Sequence, residues 1–241
     1  MQVGTLRQVL LLTDGCSNSG ENPATVAARL FKAGIVVNVI GIVNERERNT
    51  KSFTEVNEIA RAGGGVSQIV YEEDLSQTVQ TVTVQAMSQT IQGVVNQELS
   101  QIFGEQKTIE DINPEDRGEV VELVEDMGET ANLQVCILVD TSASMQHKLP
   151  TVKEALLDLS YNLQARKGDN EFAIYQYPHQ DKIIATITPW TRELQAMSVI
   201  FPKLRLGGMT PTGPALKEVM YEFSSKYLER DMYDESDYEE A

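Results

Sequence analysis

The length, composition and charge of this 241-residue chain are those of a globular protein, with 41% apolar and 23% charged residues. No run approaches the ~20 apolar residues that a membrane span needs, and we expect no secretory signal at the N-terminus. The formal charge of −16 argues against nucleic acid or an anionic membrane surface as a partner. The two cysteines, Cys16 and Cys136, are not expected to pair and fit a reducing, cytoplasmic compartment.

The first part of the chain alternates short apolar runs with amphipathic segments. The apolar runs predict buried strands at residues 9–12, 35–42 and 66–70. Between them we predict one helix that begins at Asn22-Pro23 and a second that ends at the glycines 63–65. This β-α-β-α-β order predicts a parallel sheet with right-handed crossovers.

The middle of the chain is helical and acidic. An apolar stripe from residue 75 to residue 102 predicts a helix that, if unbroken, is ~43 Å long, and a second helix is predicted after Asn113-Pro114. Residues 98–130 hold 11 acids and 2 bases, and residues 229–241 hold 7 acids and 1 base. Since the remainder is nearly neutral, we predict an acidic helical linker at 96–132 and an acidic disordered tail at 229–241.

The alternation of strands and helices resumes after the linker. A buried strand is predicted at 133–139, followed by a helix, and two strands at 171–177 and 182–188 predict an antiparallel hairpin. A short helix is predicted at 191–201, and a glycine-rich loop at 207–214 leads into the last helix. The predicted fold class is therefore α/β, with a doubly wound, mostly parallel sheet and one antiparallel edge strand.

Five oxygen-bearing side chains are candidates for a single site. One predicted strand is followed directly by Asp140, Ser142 and Ser144, and another is followed by Asp14. The fifth residue, Thr210, lies in the glycine-rich loop. Ligands bind at the carboxyl ends of strands in α/β sheets, so these side chains converge if the two strands are neighbours. Two carboxylates and three hydroxyls suit a hard cation, Mg²⁺ or Mn²⁺, and do not suit zinc, which prefers nitrogen and sulfur ligands.

Three segments together resemble the metal-ion-dependent adhesion site (MIDAS) of a von Willebrand factor type A (VWA) domain. They are Asp140-Thr141-Ser142-Ala143-Ser144, Gly207-Gly208-Met209-Thr210-Pro211-Thr212-Gly213 and Leu12-Thr13-Asp14-Gly15. The resemblance implies a Rossmann-like VWA fold and a site in which the three hydroxyls hold Mg²⁺ (or Mn²⁺) while the two carboxylates act largely through water. Met209 is inserted relative to the family pattern, which leaves Thr212 open as an alternative to Thr210.

The order of these segments departs from the family pattern. In VWA domains the Asp-x-Ser-x-Ser strand comes first and the Thr-Asp-Gly strand comes last, whereas here Asp14 is first and Thr210 is last. We therefore interpret residues 5–95 as the C-terminal half, and residues 133–228 as the N-terminal half, of one circularly permuted domain. The halves would close either within a monomer or between the two chains of a domain-swapped dimer.

The resemblance implies a module in which the cation captures an Asp or Glu side chain of a partner protein. Two alternatives stay open: a metal-dependent hydrolase, and a metal-independent scaffold that uses the long helix. The glycine-rich loop lacks the Gly-Lys-Ser/Thr of a phosphate-binding loop, and no Gly-x-Ser-x-Gly elbow is present. We therefore expect no enzyme activity, no catalytic residue and no organic cofactor.

Overall fold

A single six-stranded sheet organises the protein, whose computed structural model describes residues 5–43, 50–103, 113–192 and 208–236. The strands in chain order are β1 (Leu6–Thr13), β2 (Ile35–Val43), β3 (Gly64–Tyr71), β4 (Leu133–Asp140), β5 (Asn170–Tyr177) and β6 (Ala185–Thr191). Their order across the sheet is β3-β2-β1-β4-β5-β6. Neighbouring strands are parallel except for the antiparallel pair β5–β6 at one edge, which confirms the predicted fold class.

Helices cover both faces of the sheet. Within the described ranges they are α1 (Pro23–Lys32), α2 (Thr50–Ala62), α3 (Leu75–Phe103), α4 (Pro114–Thr130), α5 (Leu149–Gln164) and α6 (Thr212–Ser236). One apolar core joins α3, α4 and α5 to the sheet, and a second joins α1, α2 and α6 to the opposite face. The sheet is therefore doubly wound, as the sequence predicts.

The central strands are largely apolar because both of their faces are covered, and the polar residues within them, Gln8, Asn38 and Gln134, are buried. Every residue of β2 and β4 is buried, and in β1 the side chains of Leu10 and Leu12 enter one core while those of Val9 and Leu11 enter the other. Parallel strands with helices on both sides read as continuous apolar runs rather than as alternating ones. This burial fixes the strand ends, and with them the loops that carry the candidate site.

The acidic linker contains a packed helix. In α4, Val124 and Met127 contribute to the core, and the guanidinium of Arg166 donates to the carbonyl oxygens of Gly128 and Ala131 at the end of this helix. These bonds satisfy carbonyl groups that have no partner within the helix. The linker helix therefore ends beside the start of β4, while residues 104–112 lie outside the described ranges.

Two boundaries differ from the sequence predictions. Strand β6 starts at Ala185 and ends at Thr191, three residues later than predicted, because the apolar pair Ile183–Ile184 lies in the connection and not in the strand. Helix α6 continues to Ser236, so residues 229–236 are helical where composition predicts disorder. A helix propagates at low cost once its first turns are packed, and a polar segment can therefore extend it.

Two further sequence predictions concern residues that lie wholly or partly outside the described ranges. Most of the short helix predicted at 191–201, and the last five residues of the chain, lie outside the described residues. Both cysteines are free thiols. No helix within the described ranges is both long enough and apolar enough to cross a membrane.

Candidate metal site

The candidate site lies where β1 and β4 end. These two strands pair in parallel, with Leu12 opposite Val139, so the chain leaves the sheet at Thr13 and at Asp140 side by side. That these two strands are neighbours was an assumption of the sequence-based prediction, and the strand order of the sheet confirms it. Side chains from segments more than 120 residues apart are thereby brought together.

A chain of hydrogen bonds links four of the five candidate residues. The hydroxyls of Ser142 and Ser144 are 3.1 Å apart, and the Ser144 hydroxyl donates to Oδ1 of Asp14 at 2.8 Å. The backbone N–H of Ser142 donates to Oδ1 of Asp140 at 2.8 Å. The two hydroxyls and two carboxylates therefore form one polar cluster, with Asp140 fully buried and Ser144 exposed.

Asp140 is a buried carboxylate held by neutral donors. Its Oδ2 accepts a hydrogen bond from the Thr13 hydroxyl at 2.7 Å, and its Oδ1 accepts one from the backbone N–H of Ser142. Burial raises the pKa of Asp140 from 3.8 to about 6, against the opposing effect of the bonds from Thr13 and Ser142. A carboxylate in this setting is stabilised by any cation that binds beside it.

Asp14, in contrast, has a cationic partner. Its Oδ2 lies 2.6 Å from Nζ of Lys148, and the two side chains are 1% and 0% exposed. Lys148 could not be predicted from the sequence, since a lysine before a helix gives no sign that its side chain turns inward. Thr13 is a second residue of the site that was not predicted, and its position inside the Thr-Asp-Gly segment is the one available signal.

The fifth candidate, Thr210, is tied to the site through its backbone. Its N–H donates to the Asn18 side chain at 2.7 Å, and its carbonyl oxygen accepts from the Asn18 N–H at 3.1 Å and from the Ser17 hydroxyl at 3.2 Å. This fastens the loop before α6 to the loop that follows Asp14. None of the hydrogen bonds of Thr210 within the described residues joins its hydroxyl to the serine pair.

Thr212, the alternative, occupies a different environment. It is the first residue of α6 and is 1% exposed, and its hydroxyl lies 3.3 Å from the phenol oxygen of Tyr177. Burial and the nearby Asp140 raise the pKa of Tyr177 well above its ordinary value, so this phenol is neutral. The Thr212 hydroxyl is thus already occupied by a neutral partner at the end of β5.

The two serine hydroxyls have a spacing that suits an octahedral cation. Neighbouring ligands about 2.0–2.1 Å from Mg²⁺ are about 2.9 Å from each other, and the hydroxyl oxygens of Ser142 and Ser144 are 3.1 Å apart. Among the described residues, no three His, Cys, Asp or Glu side chains form a metal-binding group. A cation here would therefore depend on the hydroxyls, and the donor set fits Mg²⁺ or Mn²⁺.

A cavity gives access to this cluster. Its volume is about 220 Å³, and Asp14 and Ser144 form part of its wall together with Cys16, Ser52 and Phe53. The Cys16 sulfur lies 3.5 Å from the Ser52 hydroxyl. The exposed side of the cluster therefore opens towards α2, where a side chain from another molecule has room to enter.

Comparison with known proteins agrees with this architecture. The model of the von Willebrand factor type A domain matches residues 134–233. The chain is 52% identical over 232 residues to the uncharacterized protein YabS of Bacillus subtilis (strain 168), covering 96% of this chain and 95% of the relative. The crystal structure of an uncharacterized protein from Alicyclobacillus acidocaldarius subsp. acidocaldarius DSM 446 is 39% identical, with a TM-score of 0.86 over 93% of this chain and 96% of that one. The chain belongs to the von Willebrand factor type A domain family.

Proposed function

We propose that this protein is a binding module in which a divalent cation, Mg²⁺ or Mn²⁺, captures an Asp or Glu side chain of a partner protein. The observation that carries the proposal is the cluster of two serine hydroxyls and two carboxylates at the ends of β1 and β4. Membership in a family whose domains typically mediate protein–protein interactions supports it. The proposed activity is binding and involves no catalytic step.

The proposed ligands divide into neutral and charged groups. Ser142, Ser144 and Thr210 would present hydroxyl oxygens to the cation, while Asp140 and Asp14 would act largely through water. A cation held by neutral ligands keeps most of its charge, which favours a carboxylate as the last ligand. The contact of Thr212 with Tyr177 supports Thr210 as the third hydroxyl.

The proposed site also requires that the two halves of the chain form one circularly permuted domain. The parallel pairing of β1 with β4 supports this arrangement, and so does the family match, which starts at residue 134 and leaves β1 to β3 outside it.

The acidic linker does not oppose an acidic ligand. Helix α4 ends beside the start of β4, and the candidate site lies at the other end of that strand. A strand of this length spans about 26 Å, whereas charges are screened over about 8 Å at physiological ionic strength. A partner carboxylate that approaches Ser144 is therefore distant from the acidic residues at the end of α4.

A pull-down from the source cells tests the proposal. Immobilised wild-type protein is expected to retain a partner in Mg²⁺, to release it in EDTA and to recover it when Mg²⁺ is restored. Asp140→Ala is expected to abolish retention, because the cation loses a buried charge that holds it. Asp169→Ala removes a 61% exposed carboxylate at the opposite end of the sheet and is expected to behave as wild type. A partner that stays bound in EDTA would contradict the proposal.

A further inference from the structure

A buried lysine adjoins the candidate site from inside the protein. The side chain of Lys148 has no exposed surface, and its Nζ lies 2.6 Å from Oδ2 of Asp14. The other oxygen of Asp14, Oδ1, accepts the hydrogen bond from Ser144. Asp14 therefore contacts the lysine through one carboxylate oxygen and the hydroxyl pair through the other.

The backbone holds Lys148 in this place. Its N–H donates to the carbonyl of Met145 at 2.9 Å, and its carbonyl oxygen accepts from the N–H of Val152 at 3.0 Å. Lys148 therefore sits directly before α5, in the turn that joins this helix to the short 3-10 segment Ala143–Met145. Burying an ammonium group costs free energy unless the group is paired with an opposite charge. The ion pair with Asp14 provides that pairing, and it places one positive charge next to the candidate site.

We propose that Lys148 tunes the site for an acidic ligand by cancelling the charge of Asp14, an inference that rests on the proposed function. In their ordinary charged forms, Asp140, Asp14 and Lys148 together carry one net negative charge. A divalent cation added to this site leaves one net positive charge, which a single partner carboxylate neutralises. Without the lysine, the same cation would be neutralised by the two aspartates alone.

This charge balance makes opposite predictions for the two binding steps. Loss of the lysine charge removes a repulsion that the cation experiences, so the cation binds more tightly. The same change removes the excess charge that attracts a carboxylate, so the acidic ligand binds more weakly. A lysine that only held Asp14 in position would give the same sign for both steps, because its loss would disorder a ligand.

Lys148→Met tests the inference, since it keeps an unbranched side chain and removes the charge. Calorimetric titration with Mg²⁺ in chloride buffer is expected to give a dissociation constant lower by on the order of tenfold than that of wild type. Replacing chloride by acetate, a carboxylate probe, is expected to tighten Mg²⁺ binding by wild type but not by the variant. Lys167→Met, which changes an exposed lysine near the start of β5, is expected to match wild type in both buffers.

Lys148→Gln serves as a second variant if the methionine variant does not fold, because its amide can still donate to Asp14. Unchanged or weaker Mg²⁺ binding in the folded Lys148 variants would overturn the inference and leave the proposed function standing. A wild-type protein that binds no Mg²⁺ would overturn the proposed function itself.

Discussion

Asp140→Asn is expected to stabilise the protein in EDTA at pH 7 and to abolish its stabilisation by Mg²⁺. The wild-type carboxylate is fully buried, and its pKa is raised to about 6. A rise of about two pKa units corresponds to a cost on the order of 3 kcal/mol for ionising this group in the folded protein. Asparagine avoids that cost and can still accept from the Ser142 N–H and donate to the Thr13 hydroxyl.

The raised pKa of Asp140 determines how the free energy of unfolding changes with pH. Because the pKa of Asp140 is higher in the folded than in the unfolded protein, the folded state binds more protons between about pH 4 and pH 6. The wild type therefore loses stability as pH rises through that window, and the loss persists above it. Urea unfolding in EDTA should show the advantage of the asparagine variant growing from pH 4 to pH 6 and then staying constant.

The exposed Asp169 provides the control for this experiment. Asp169→Asn is expected to change the free energy of unfolding by less than about 0.5 kcal/mol at any of these pH values. An Asp140→Asn protein that is less stable than wild type at pH 7 in EDTA would contradict the conclusion that the buried Asp140 carboxylate destabilises the protein when no cation is bound. So would a variant that Mg²⁺ stabilises as strongly as it stabilises wild type.

Gly213→Ala is expected to destabilise the protein by about 3 kcal/mol and to weaken Mg²⁺ binding. A Cβ atom at Gly213 would overlap the backbone carbonyl of Glu21, so the start of α6 must move away from the loop before α1. That movement would also pull the Thr210 loop from Ser17 and Asn18, to which it is hydrogen-bonded. Both effects can be measured on one sample by urea unfolding and by calorimetric titration with Mg²⁺.

Gly93→Ala is the matched control, since it makes the same chemical change in the exposed middle of α3. A Cβ atom there meets nothing within 4 Å, and alanine has the higher helix propensity, so this variant is expected to gain up to about 1 kcal/mol. If Gly213→Ala were as stable as wild type, the two helix starts would not be in contact as described.

Much of the fold can be predicted from the sequence because burial leaves a clear pattern. The strands β1, β2 and β4 are covered on both faces, so each contains a run of apolar residues, and Thr13 and Asp140, which end β1 and β4, mark one edge of the sheet. The start of α1 was predictable for a local reason as well, since the Asn22 side chain caps the helix by accepting from the Thr25 N–H.

The features that escaped prediction depend on contacts between distant segments. The pairing of Lys148 with Asp14 joins residues 134 positions apart, and nothing near Lys148 in the sequence distinguishes it from a solvated lysine. The attachment of the Thr210 backbone to Asn18 joins segments 192 positions apart. Likewise, composition could not place the end of α6, because a helix can continue from its packed first turns into a polar segment.

The central claim is that two distant parts of the chain enclose one divalent cation, and diffraction from crystals grown with Mn²⁺ tests it most directly. The anomalous signal of manganese locates the ion without reference to the surrounding atoms. We expect a peak bounded by the hydroxyls of Ser142, Ser144 and Thr210, with Asp140 and Asp14 placed to reach it through water. Crystals saturated with Mn²⁺ that show no peak between the ends of β1 and β4 would contradict the account.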